Sequence, residues 1–271
     1  MRLKKPACLL NKGLGLITIL RRWIWRLRGL LYFSSATMKI VAACVFIHLI
    51  LLVAGRVAVG YTDISYRSVL QNCFSLNWPL LSKGFLWQLC SYSFLHGSWL
   101  HLLLNMWACV VFGSVLERDY GARYFLKVFL AGGVAGALGW LAYTALLPSL
   151  SFLGLLTGWM PESLRELLQA GHALKGSLAG SSCIGASAGV FALLGCFFAL
   201  YPRREIYLLL FFVLPLKLRS TTLLWLLLVI TLAEMVFVQS PIAGAAHLGG
   251  GAAGYLLGRR AVRSGRRGVS R

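Results

Sequence analysis

Six apolar stretches, separated by charged or turn-forming residues, divide the chain: about Ile40–Gly55, Trp99–Leu116, Phe125–Leu147, Cys183–Tyr201, Thr221–Val238 and Ile242–Gly258. Roughly 20 apolar residues in a helix cross the hydrocarbon of a bilayer. The runs are continuous rather than alternating, which suits helices that are apolar all round and not half-buried strands. The first and last are short, so their ends are set only to within a few residues. The pattern predicts an all-α membrane protein, a six-transmembrane-helix bundle over residues 39–258. A basic segment, 1–38, precedes it and a basic tail, 259–271, follows it.

Composition agrees with a membrane solvent. Hydrophobic residues make up 59% of the 271 and charged residues only 13%, about half the share usual in soluble domains. Of the 27 Lys and Arg, nine precede the first span and six follow the last. Arg118, Arg123 and Lys127 follow the second span, and Arg203, Arg204, Lys217 and Arg219 follow the fourth. Only five lie on the other side, so the positive-inside rule puts both termini in the cytoplasm. That distribution accounts for the net charge of +20 without any nucleic-acid partner.

No acid occurs before Asp63, and Arg21–Arg28 interleaves tryptophans with arginines. This reads as a helix lying among lipid headgroups. A signal peptide fits less well, because the apolar run Gly13–Leu20 is short and Arg21-Arg22 stands where small residues are needed for cleavage. A mitochondrial transit peptide shares the Arg-rich, acid-free character. The seven cysteines show no zinc-ligand spacing, and neither a metal nor a cofactor is expected. Cys73 and Cys90, in the long first outer loop, could pair in an oxidising compartment.

With the N-terminus inside, the second, fourth and sixth spans all begin at the outer face. Near their starts stand His101 and Asn105, Ser187, and His247. His101 and Asn105 are four apart and share a helix face. Ser187, in Gly185-Ala186-Ser187-Ala188-Gly189, is expected about four residues into its helix. Polar groups far apart in sequence thus meet in one shallow layer. Each has an ordinary explanation: a membrane serine often bonds back to its own helix, and glycines often mark close packing. A histidine in a membrane nevertheless needs a partner, and Ser187 is a suitable one. G-x-S-x-G also marks the nucleophile turn of soluble hydrolases, but that turn follows a strand and these flanks suit a helix.

Taken together, four motifs resemble those of the rhomboid intramembrane serine proteases. They are Trp87-Gln88 through Phe94-Leu95-His96-Gly97 to His101 and Asn105; Gly113, Glu117 and Gly121 spaced by three; Gly185-Ala186-Ser187; and His247, Gly250 and Gly254. The resemblance runs from about Trp87 to Gly258. It implies a Ser187–His247 dyad that cuts transmembrane substrates near their outer end, with His101 and Asn105 donating to the oxyanion. Phe191 falls where an aromatic stacks on the catalytic histidine, His96 where a loop histidine shapes the outer loop, and Glu234 in the outer half of the fifth span, beside a lateral gate.

Two positions depart from the family pattern. Ala188-Gly189 reverses the usual Gly-Ala order, which suggests a methyl beside the oxyanion site. Gln88 replaces an arginine that anchors the first loop. The four-residue spacing of Gly185 and Gly189 suggests a seam facing the sixth span. His48 reads as a satisfied interior polar residue. The 148–182 connection carries a short amphipathic helix from Pro161 and is long enough to cover the site.

These features predict an endopeptidase in a bacterial plasma membrane, with a mitochondrial inner membrane as the alternative location. Its partners would be the bilayer and transmembrane protein substrates, cut after small residues. An inactive relative that binds and routes membrane proteins is the main alternative. A transporter would require repeats or helices broken at the midplane, and neither is visible. The sequence leaves the oligomeric state open.

Overall fold

The computed structural model describes residues 35–56, 65–152, 182–210, 214–237 and 242–265, with side chains omitted at 147–152, 207–215 and 234–242. The expectations for the N-terminal basic segment and for the helix after Pro161 lie outside these residues, as does the Glu234 side chain.

Helix α1 (Ala36–Ala54) is followed by three short outer helices, α2 (Tyr66–Phe74), α3 (Trp78–Leu81) and α4 (Gln88–Ser91), and a 3-10 turn at Tyr92–Phe94. The second span combines α5 (Trp99–Ala108), a π-helical turn (Cys109–Gly113) and α6 (Ser114–Tyr120). Then come α7 (Ala122–Phe152), α8 (Ser187–Leu200), α9 (Ser220–Phe237) and α10 (Ile242–Arg263). Three helical stretches are apolar and long enough to cross a membrane, Ala36–Ala54, Trp99–Tyr120 and Ala122–Leu146, and Ser187–Leu200 and Ser220–Ala233 are shorter apolar helices. Phe46, Val53, Leu100, Leu103, Leu138, Trp225 and Val229 stay exposed around the bundle, as expected of lipid-facing positions.

Backbone contact holds the centre together. A side chain built at Gly250 would come within 2.2 Å of the Ala188 carbonyl, at Gly254 within 1.9 Å of Ala192, and at Gly258 within 2.7 Å of Ala199. On α7, Gly132 and Gly136 meet Ala192 and Ala188 in the same way, while Gly139 meets the Ala245 carbonyl of α10. Lipid tails are as apolar as leucine, so close packing through small residues brings these helices together where hydrophobic exclusion cannot. The seam on α8 therefore runs through Ala188 and Ala192. The expected Gly185–Gly189 seam is not found, because α8 is rotated so that Gly189 abuts Phe129 of α7 and Gly185 lies outside the helix.

The basic end of the bundle is tied across the sequence. The Glu117 carboxylate accepts from the Ala36 N–H at 2.6 Å, the Thr37 N–H at 2.8 Å and the Thr37 hydroxyl at 2.6 Å. These are the unpaired donors at the start of α1, satisfied by a carboxylate that also suits the helix dipole. Tyr201 donates its hydroxyl to Asp119, and Tyr124 donates to the Leu257 carbonyl at 3.1 Å. The start of α1 and the ends of α6, α8 and α10 therefore share one end.

Between α8 and α9 the chain forms an antiparallel hairpin, β1 (Glu205–Leu210) and β2 (Leu214–Arg219), with Glu205 opposite Arg219. This hairpin lies between the fourth and fifth apolar stretches of the expected all-α bundle. Its signal is the alternation Leu214, Leu216, Leu218 against Pro215, Lys217, Arg219, a period of two.

Candidate active site

The fourth span is shorter than the expected Cys183–Tyr201. Cys183 is held outside the helix, exchanging backbone hydrogen bonds with Leu76 at 2.9 and 3.0 Å. Gly185 follows with φ +130°, a conformation other residues rarely adopt. Its N–H donates to the Tyr92 carbonyl at 2.9 Å, and the Tyr92 hydroxyl donates to the Gly133 carbonyl at 2.7 Å. Helix α8 therefore starts at Ser187, not four residues earlier. Its 14 residues span only about 21 Å of a roughly 30 Å hydrocarbon layer. Its other end is tied to the basic side, so Ser187 stands at the opposite end of the helix. Being first in the helix, it also has a backbone N–H with no intrahelical acceptor.

His101 converges on the same place. A Cβ built on Gly185 would lie 2.8 Å from His101 Cε1, 2.9 Å from its Nε2 and 3.7 Å from Ser187 Oγ. Glycine at 185 is thus required twice, for its backbone and for the room that the imidazole takes. Asn105 is buried one turn below, and its amide donates to the His101 carbonyl at 3.0 Å, which leaves its second N–H without a partner among the described residues.

His247 comes from α10. The α8–α10 seam pairs Ala188 with Gly250, so Ser187 and His247 both lie within one turn of the same contact. The His247 ring stacks on Phe191, centroids 4.2 Å apart and planes 3° from parallel. Its Nδ1 is buried with no hydrogen-bond partner. Among the described residues, no hydrogen bond joins Ser187 Oγ to His247. Such bonds are often long in substrate-free sites and tighten when substrate is bound.

Other expectations change. The Ala188 methyl points at Gly136 of α7, where a built Cβ would lie 2.4 Å away. It belongs to the packing seam. Gln88 is fully buried and is itself the anchor of the first loop. It accepts from the Asn77 N–H at 3.2 Å and donates to the Asn72 and Cys73 carbonyls, each at 3.2 Å. Cys73 and Cys90 are free thiols rather than a pair. His96 is buried in the loop before α5, its ring edge-on to His101 at 5.2 Å. Burial, helped by the neighbouring His101 imidazole, pushes His96 down to about 4, so it is neutral near pH 7. The Phe94 carbonyl beside the ring works against that shift. No group of three or more His, Cys, Asp or Glu among the described residues is arranged to hold a metal. The sequence reading missed the part played by Tyr92, which no spacing signals because its partners lie 41 and 93 residues away.

The class is that of a mostly helical membrane bundle with a serine at a helix start and a histidine on the neighbouring helix. The family model described as Rhomboid domain matches residues 83–264, and the chain belongs to the rhomboid family. It is 28% identical over 200 residues to RHOMBOID-like protein 12, mitochondrial, of Arabidopsis thaliana, a match covering 74% of this chain and 53% of that protein. It is 26% identical over 180 residues to RHOMBOID-like protein 5 of the same plant, covering 66% of this chain and 45% of the relative. A 62-residue segment is 36% identical to Rhomboid-like protease 2 of Toxoplasma gondii, 22% of each chain. The chain thus spans about half the length of the first two relatives.

Proposed function

We propose that the chain is a serine-type intramembrane endopeptidase that cleaves transmembrane segments of other membrane proteins near the outer face. The observation that supports this reading is the α8–α10 seam, where Ala188, next to Ser187, packs on Gly250, three residues after His247. Ser187 Oγ adds to the scissile carbonyl carbon while His247 takes its proton. The tetrahedral intermediate collapses, the departing amine receives that proton, and an acyl ester remains on Ser187. His247 then deprotonates a water, which hydrolyses the ester. The Ser187 N–H, His101 and Asn105 donate to the oxyanion, and such donors contribute on the order of 10²–10³ each in rate.

The unpartnered Nδ1 of His247 supports a dyad rather than a triad, since no carboxylate meets the ring among the described residues. The small neighbours Gly185 and Ala186 favour cleavage after a small residue. The basic end, opposite Ser187, favours an outward-facing site. A bacterial plasma membrane is the first location proposed and a mitochondrial inner membrane the second, which the name of one relative fits. The test is cleavage of a transmembrane model substrate in proteoliposomes. Ser187→Ala and His247→Ala should each abolish it while the protein remains folded. Full activity in either variant refutes the dyad, and a folded wild type that binds but does not cut would favour a routing role.

A further inference from the structure

A cavity of about 420 Å³ lies against α10 at the basic end of the bundle, lined by Tyr255, Leu256, Arg259, Arg260 and Arg263. At about 100° per residue these five fall within an arc of about 140° on one helix face. The buried Gly254, Gly258 and Ala261 lie on the opposite face, the first two against α8. The cavity therefore opens away from the bundle, towards lipid. Tyr255 and Arg263 are about 12 Å apart along the axis. Between them, Tyr124 reaches the Leu257 carbonyl, at the level where the last apolar run ends. One part of the cavity is thus apolar and inside the span, and the other is cationic and beside the headgroups.

No acid pairs with these three arginines among the described residues. Glu117 is committed to the start of α1, Asp119 to Arg118 and Tyr201, and Glu205 to Lys217 at 2.8 Å. No acid follows Glu234 in the sequence. The guanidiniums are not needed to close the helix either. The Arg260, Ala261 and Val262 carbonyls accept from the Ser264 N–H at 2.9 Å, the Ser264 hydroxyl at 3.1 Å and the Gly265 N–H at 3.2 Å. Arg204, by contrast, lies over the Phe197 and Tyr201 rings. Three cations so close together repel one another. A phosphodiester relieves that repulsion and matches the planar fork of each guanidinium. Basic pockets on membrane helices, on the side that carries the positive charge, suit anionic lipid headgroups.

We propose that this face of α10 binds one anionic phospholipid, its phosphate held by Arg259, Arg260 and Arg263 and an acyl chain lying along Tyr255 and Leu256. The site does not depend on the protease reading. Its occupancy stabilises the folded bundle, because the unfolded chain lacks the assembled face.

The test uses the 271-residue chain, delipidated in a neutral detergent and titrated with phosphatidylglycerol or phosphatidylcholine. Native mass spectrometry counts the bound lipid, and thermal melts follow stability. Phosphatidylglycerol should bind the wild type at least about tenfold more tightly than phosphatidylcholine and raise its Tm. Arg259→Gln, Arg260→Gln and Arg263→Gln should each weaken that binding about fivefold, and the triple change should abolish the preference. Arg203→Gln removes an exposed cation at the same end but outside the cavity, and should leave binding unchanged. Inorganic phosphate at millimolar concentration should not displace the lipid, since it has no chain to lay on Tyr255 and Leu256. All the altered side chains are exposed, so without lipid the variants should melt with the wild type. Equal binding of the two lipids overturns the proposal. A loss in Arg203→Gln as large as in Arg260→Gln also overturns it, reducing the site to diffuse surface charge. Displacement by phosphate overturns it in favour of a free-anion site.

Discussion

Replacing Gly250 by alanine should separate the two helices that carry the candidate dyad. The added Cβ would lie 2.2 Å from the Ala188 carbonyl oxygen, 2.8 Å from its carbon and 3.1 Å from its Cα. All three are backbone atoms, so no side chain can swing away. Relieving the contact requires α8 and α10 to part by about 1 Å, and overpacking of this kind costs about 1–3 kcal/mol. The same shift moves His247 from Ser187, and a misplacement of about 1 Å can cost roughly two orders of magnitude in rate. Gly251→Ala is the control, because its Cβ would meet only the Phe191 carbonyl at an ordinary 3.8 Å. That change should be neutral or slightly stabilising, since alanine is favoured over glycine in a helix by about 1 kcal/mol. Thermal unfolding in detergent and cleavage in proteoliposomes measure both effects. Equal stability and equal activity of the two variants would refute the packing argument and the register derived from it.

Glu117→Ala should destabilise the protein by about 1–3 kcal/mol, because it strands the Ala36 and Thr37 donors at the start of α1, and thermal melts would detect the loss. Asn105→Ala should lower kcat by about one to three orders of magnitude with little change in KM, since in the proposed mechanism its side chain donates to the oxyanion; a pure KM effect would assign it to substrate binding. The lowered pKa of His96 makes stability pH-dependent with a fixed sign. The unfolded chain takes up a proton near 6.5 and the folded one only near 4, so stability is complete above about 6.5 and falls as the pH drops towards 4. Unfolding temperatures measured across that window should fall on acidification, and less so in His96→Asn.

The membrane made much of this fold readable, because a bilayer demands long apolar runs and Trp99, Ser220 and Ile242 begin helices within a residue of where those runs begin. That His101 and Ser187 stand near each other about Gly185 follows from even-numbered spans starting on one side. The start of α8 was not legible: Cys183 looks apolar enough for a helix, and only its pairing with Leu76 and the φ of Gly185 exclude it. Rotation of that helix was equally hidden, since whether Ala188 or Gly189 faces α10 depends on how three helices fit together. Glu117 bonds a helix start 80 residues away, which no local pattern encodes. His48 reads as a satisfied polar residue, yet it is buried and neither ring nitrogen has a hydrogen-bond partner among the described residues, which a sequence does not show.

Covalent capture of the nucleophile tests the central claim most directly. The folded 271-residue chain in detergent would be treated with a fluorophosphonate probe and the modified residue located by peptide mass spectrometry. The account predicts a single adduct on Ser187, absent in Ser187→Ala and formed far more slowly in His247→Ala. No adduct on folded wild-type protein, or labelling that persists in Ser187→Ala, would contradict it.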